Sequence, residues 1–262
     1  MTHSFKSALC AGLFLLAGLT AGASTVGAEE RPLVMPPEAG PERILFIGNS
    51  YLYYGDGLQN HARRMAAAAY PDRKFNYKLA AIAGGYMDEQ PVAQFLTLGG
   101  EQGYDLVVLQ GNSGAMLSEE KRARFGGASE TAAGLIAETG AATALYMTPA
   151  YGEGHARHDP QMTGLISDGY TAEGNRLGAL VIPVGRAFAL AYERRPEIAL
   201  HQRDHSHPTK LGTYLGAATL YATLYDVSAV GNTYDMYGEI STEDAAFLQQ
   251  VAEDAVAEFY AQ

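Results

Sequence analysis

The chain has 262 residues, enough for one large domain or two small ones, and its 47% hydrophobic and 18% charged content describes a packed globular protein. A formal net charge of −11 excludes an electrostatic grip on nucleic acid or anionic membrane, because either needs a basic surface. The single cysteine is Cys10.

Residues 1–28 read as a secretory signal. Lys6 supplies a positive start, and Ala8 to Leu19 is an apolar run too short to span a bilayer. Ala21-Gly22-Ala23 and Val26-Gly27-Ala28 both end in small residues suited to cleavage. Cys10 precedes most of the apolar run and is badly placed for lipid attachment. The expectation is export to the periplasm or the medium with no stable membrane anchor. The mature chain would then lack any disulfide, thiolate nucleophile or cysteine ligand for zinc. Residues 29–41 carry four prolines and no hydrophobic period, which predicts a flexible leader before a domain over 42–262.

Ile44 to Ile47 reads as a buried first strand, ended by Gly48-Asn49-Ser50, and a helix is expected over Asp56–Ala69. Phe75 to Ile82 is the second strand and stops at Ala83-Gly84-Gly85. Gln90 to Leu98 reads as a short helix, Tyr104 to Gln110 as the third strand and Ser118 to Thr139 as a helix. Ser118 is its candidate cap, with Glu119 and Glu120 near its positive end. Ala142 to Met147 is the fourth strand, Pro149 to Pro160 a loop with two histidines, and Met162 to Gly174 a helix. Ala179 to Val184 is the fifth strand and Gly185 to Glu193 the helix after it. A polar loop, His201 to Pro208, leads to helices over Lys210–Tyr225 and Thr242–Tyr260. Strands that alternate with helices suit right-handed crossovers, so the fold class is α/β: a three-layer α/β/α sandwich on a mostly parallel five-stranded sheet of flavodoxin type.

In such a sheet the strand ends of one sense share an edge, where ligands bind. Four polar sites lie just after strands or just before helices and can converge there: Gly48-Asn49-Ser50, Gly84-Gly85, Gln110-Gly111-Asn112-Ser113 and Asp204-His205-Ser206-His207. A serine becomes a nucleophile when an imidazole takes its proton, and a carboxylate on the other ring nitrogen orients that imidazole. Backbone N–H groups at glycine turns and an asparagine amide can donate to a developing oxyanion. Each element has a plainer use. Ser50 also reads as a helix cap, Asp204 and His207 as a turn pair, and Asn112 as a loop amide bonding its own backbone. Tyr51, Tyr53 and Tyr54 read best as packing. His201, Asp204, His205 and His207, with His155, His158 and Asp159, could instead hold a metal.

Taken in order, the four blocks resemble those of the SGNH hydrolase superfamily, the GDSL-type esterases and lipases, in a divergent bacterial branch. Gly48-Asn49-Ser50 stands where the family has Gly-Asp-Ser, Gly85 (or Gly84) where it has the second-block glycine, Asn112 at the third-block asparagine, and Asp204-x-x-His207 at the last block. The resemblance implies Ser50 as nucleophile, His207 as general base and acid, and Asp204 as its orienting partner. It also implies an oxyanion hole of the Ser50 and Gly85 N–H groups and the Asn112 side chain, with no metal and no cofactor. Asn49, Gln110 and Ser113 depart from the family pattern. The α/β-hydrolase elbow G-x-S-x-G is absent around both Ser50 and Ser113. The expected function is an exported serine esterase acting on carboxylic esters, of which O-acetylated carbohydrates are favoured. The competing readings are a carbohydrate-binding protein that lost turnover and a metal-dependent hydrolase using the His201–His207 cluster.

Overall fold

The computed structural model describes Met1 and residues 31–261. The expected signal segment, Met1 aside, and the first two leader residues lie outside them. Five strands form the sheet: β1 (Arg43–Gly48), β2 (Asn76–Ala81), β3 (Leu106–Leu109), β4 (Ala142–Tyr146) and β5 (Leu180–Ile182). Their order is β2-β1-β3-β4-β5, and every adjacent pair is parallel. The helices are α1 (Ser50–Tyr53), α2 (Leu58–Ala69), α3 (Val92–Leu96), α4 (Glu119–Glu138), α5 (Met162–Leu177), α6 (Val184–Arg194), α7 (Lys210–Leu224) and α8 (Thr242–Tyr260).

Alternation along each strand divides the apolar side chains between two faces. Ile44, Phe46, Val108, Tyr146 and Ile182 pack under α2, α6, α7 and α8. Leu45, Ile47, Val107, Leu109 and Val181 pack under α4 and α5. The expected three-layer sandwich is therefore the observed one. Ile44 to Ile47 are wholly buried, and each such side chain contributes roughly 1.5–3 kcal/mol. The alanine- and glycine-rich α7 is buried along nearly its whole length and is wedged between α2 and α8; small side chains permit that approach.

Boundaries move where turn chemistry intervenes. The helix expected from Asp56 begins at Leu58, because Gly55, Asp56 and Gly57 all have positive φ, 61°, 69° and 86°. A separate short helix, α1, precedes that turn. Ser118 caps α4 as expected, its Oγ accepting the Lys121 N–H at 3.3 Å. Residues 31–41, expected as leader, have neither helix nor strand but are tied to the domain. The Leu33 N–H donates to Asn175 Oδ1 at 2.7 Å, and Tyr225 donates to the Pro41 carbonyl at 2.6 Å.

Candidate active site

The turn after β1 is held by three buried amide side chains. A Cβ on Gly48 would lie 2.4 Å from Gln110 Oε1, so only glycine permits the approach. That oxygen accepts the Asn49 N–H at 2.9 Å, and Gln90 Nε2 donates to the Gly48 carbonyl at 2.9 Å. Asn49 caps α1 through Oδ1, which accepts the Tyr51 N–H at 3.2 Å, while its Nδ2 donates to the Gly85 carbonyl at 3.2 Å. An ionised aspartate at 49 would keep the acceptor and lose the donor. Asn49 is thus the cap, and Ser50 is the first helical residue. The Ser50 N–H has no hydrogen-bond partner among the described residues, and its Oγ lies 2.8 Å from His207 Nε2.

His207 stands on a hairpin closed by the His201–Pro208 bridge and by the Gln202 N–H donating to the His207 carbonyl at 2.8 Å. Asp204 does two jobs there. Oδ1 accepts the Ser206 and His207 backbone N–H groups, both at 3.0 Å, and Oδ2 lies 2.6 Å from His207 Nδ1. Both the turn reading and the pairing reading of Asp-x-x-His therefore hold. Partial burial works upward on the Asp204 carboxyl. The hydrogen bonds from the His207 ring and the two backbone amides outweigh it and hold it down at about 2. With Asp204 ionised, the ring proton belongs on Nδ1, and Nε2 is left to accept from Ser50. Such a chain can take the Ser50 proton.

The tyrosines after Ser50 do more than fill space. The Tyr54 ring stacks on His207 with centroids 4.2 Å apart and planes 13° apart, and Tyr51 flanks it at 5.5 Å. The Tyr51 hydroxyl lies 2.7 Å from Ser206 Oγ. Burial pushes the Tyr51 phenol up to about 12, so it remains a neutral brace between the serine turn and the hairpin. The only trace of this in the sequence is the position of these tyrosines directly after Ser50. Gln90, 42 residues from the carbonyl it holds, leaves no trace at all.

The two Gly-Asn-Ser tripeptides fold alike and part at the serine. Asn112 Oδ1 accepts the Gly114 N–H at 3.1 Å, as Asn49 Oδ1 accepts that of Tyr51. The Ser113 hydroxyl, however, lies 3.0 Å from Tyr151 and has no imidazole. Asn112 Nδ2 reaches back to the Gly84 carbonyl at 3.3 Å, which joins the third block to the second. At that second block the expected donor is already engaged. The Gly85 N–H donates to the Ile82 carbonyl at 3.0 Å in a turn made possible by Gly84 at φ 65°. The Gly84 N–H has no partner among the described residues.

The remaining histidines are used separately. His201 Nδ1 lies 2.8 Å from the Tyr192 hydroxyl, His155 stacks on Tyr151 at 3.9 Å, and His158 Nδ1 lies 2.9 Å from the Tyr151 carbonyl. Among the described residues no three His, Cys, Asp or Glu side chains gather as a metal site. Behind the hairpin lies a cavity of about 600 Å³ lined by Tyr151, Phe188, Tyr192, His201 and His205. Ser50 does not line it.

No family model and no curated protein matches the chain. Solved structures do. A protein of the DUF4886 family from Bacteroides uniformis aligns at TM-score 0.66 and 17% identity, over 82% of this chain and 94% of its own. A protein from Slackia heliotrinireducens provisionally assigned to the SGNH hydrolases aligns at 0.58 and 19%, over 71% and 99%. The acetyl xylan esterase AlAXEase aligns at 0.51 and 16%, over 68% and 98%. At these identities the likeness is one of fold. With a five-stranded parallel sheet between two helical layers, the chain has a divergent form of the SGNH hydrolase fold.

Proposed function

We propose that the protein is an exported serine hydrolase that cleaves carboxylic esters through an acyl-enzyme. The observation that carries this reading is the unbroken chain from Ser50 Oγ to His207 Nε2, and from His207 Nδ1 to Asp204, at 2.8 and 2.6 Å. Ser50 Oγ attacks the ester carbon as its proton passes to His207 Nε2. The carbonyl oxygen becomes an oxyanion, stabilised by the Ser50 N–H and Asn112 Nδ2, with the Gly84 N–H taking the place expected of Gly85. Collapse breaks the ester C–O bond, and His207 returns the proton to the departing alcohol. Water then gives its proton to His207 and its oxygen to the acyl carbon, and Ser50 leaves protonated.

O-acetylated carbohydrate is the favoured substrate, since an acetyl xylan esterase shares the fold and export would place the protein among envelope and polysaccharide esters. Asn49 and Gln110, which depart from the family pattern, are buried supports of the serine turn, so their change is no sign of lost turnover. A fluorophosphonate should label wild-type protein on Ser50, and Ser50→Ala should abolish labelling and lower turnover of 4-nitrophenyl esters by about 10⁶. Absence of labelling in folded wild-type protein would favour the binding-only reading. A label on the peptide carrying Ser113 would overturn the assignment of the serine.

A further inference from the structure

Beside Asn112 the turn passes through Gly114, and two cationic side chains converge there. A Cβ added to Gly114 would have as nearest neighbours Lys121 Nζ at 3.4 Å, Asn112 Oδ1 at 3.7 Å and Arg157 Nη1 at 3.9 Å. These are ordinary contact distances, so the two positive heads stand on either side of the space that a side chain at Gly114 would occupy. Arg43, Arg73, Arg124, Arg176, Arg194, Arg195 and Lys210 each bond a carboxylate. Lys121 and Arg157, like Arg63, Lys74 and Arg203, have no ion-pair partner among the described residues. Two like charges brought to one place repel unless an anion lies between them.

Arg157 is placed by something other than a counter-ion, and Lys121 stands where its own helix gives it no help. Lys121 stands in the first turn of α4, at the end whose helix dipole is itself positive and disfavours a lysine. The Arg157 guanidinium lies over the Tyr151 ring at 4.9 Å from its centre, and its backbone N–H donates to His155 Nδ1 at 3.1 Å. Tyr151 is buried, and its hydroxyl meets Ser113. The acidic residues of the same loop are turned elsewhere: Glu153 and Asp159 line the cavity behind the hairpin, and Asp159 Oδ1 accepts the Gln161 N–H. Glu119 and Glu120, at the start of α4, are exposed.

We infer that the site takes an ester that carries a carboxylate, held by Lys121 and Arg157 on the Asn112 side of the reacting carbonyl. The inference rests on the esterase reading for the position of that carbonyl. Arginine offers a fork that matches a carboxylate, and lysine adds a point charge. The carboxylate can belong to the acyl part, as in a dicarboxylic half-ester, or to the alcohol part, as in an acetylated uronic acid.

Two substrate pairs separate these sources. Mono-4-nitrophenyl succinate is compared with 4-nitrophenyl butyrate, and O-acetyl glucuronate with O-acetyl glucose, for wild-type protein and for Lys121→Gln/Arg157→Gln. The wild type should prefer the charged member of one pair in kcat/KM, and that pair identifies the part that bears the charge. The double substitution should reduce this preference about tenfold to a hundredfold, the range for charged hydrogen bonds, and added salt should erode it. A wild type indifferent to charge in both pairs, or a preference kept by the double variant, overturns the inference while leaving the esterase reading intact. If no ester turns over and Ser50 does not label, the esterase reading fails. Calorimetric titration with succinate and with glucuronate then decides the Lys121 and Arg157 site alone: binding lost in the double variant supports it, and no binding overturns it.

Discussion

Asn49→Asp restores the residue usual at this position in the family that the motifs resemble, yet here it should destabilise the protein. Asn49 is 2% exposed and uses both ends of its amide, Oδ1 toward the Tyr51 N–H and Nδ2 toward the Gly85 carbonyl. An ionised carboxylate keeps the first bond and faces the Gly85 carbonyl with a lone pair. A buried group left unpaired costs about 1–3 kcal/mol, and in a domain of this size each kcal/mol shifts Tm by about 2–4 °C. The expected deficit at pH 8 is therefore roughly 2–12 °C. The sign with pH follows from linkage. Burial raises the pKa of the introduced carboxyl, so the folded form keeps a proton that the unfolded chain releases. Protonated, the acid can donate to the Gly85 carbonyl as the amide did. The deficit should shrink as pH falls from 8 to 5 and grow as it rises. Thermal unfolding of wild type and variant at both pH values measures it, and groups common to both chains cancel in the difference. A variant as stable as wild type at pH 8, or a deficit unchanged at pH 5, would refute the role given to the Asn49 amide.

Asn112→Ala should lower turnover of 4-nitrophenyl acetate by about 10²–10³, and Ser113→Ala, whose hydroxyl meets Tyr151, should cost far less; equal losses would remove the distinction between the two. Burial pushes the His201 imidazole down to about 4, so below its ordinary value the unfolded chain binds a proton that the folded chain refuses. Stability should fall as pH drops from about 6.5 toward 4, by at most about 1.4 kcal/mol per pH unit, and His201→Gln should flatten the plot of Tm against pH in that window. N-terminal sequencing of exported protein should find a start near Ser24 or Glu29, and an intact Met1 would count against export by a cleaved signal.

The layers and the parallel sheet were legible because buried parallel strands are continuous apolar runs, as in Ile44–Ile47 and Leu106–Leu109, and because each is followed by a helix. The meeting of Ser50 with Asp204 and His207 was legible through motif order alone, because the hairpin carrying Asp204 and His207 lies between α6 and α7 rather than at a strand end. What stayed hidden depends on side chains that meet across long separations. Gln110 reaches Asn49, Gln90 reaches Gly48, and Tyr54 reaches His207. A glutamine in a polar turn looks the same in the sequence whether it is solvated or is the buried acceptor of a single N–H. Gly85 shows the opposite limit: the motif marks a glycine, but only the turn geometry shows that its N–H is already bonded to Ile82 and that of Gly84 is open.

The hairpin that carries His207 also carries Asp204, and its own bridge closes it at His201 and Pro208. Base and carboxylate therefore travel as one piece, while the serine belongs to a different piece, anchored to the sheet through Gly48. On the proposed reading, any relative displacement of the two pieces would change the distance from Ser50 to His207 while leaving the imidazole oriented by Asp204.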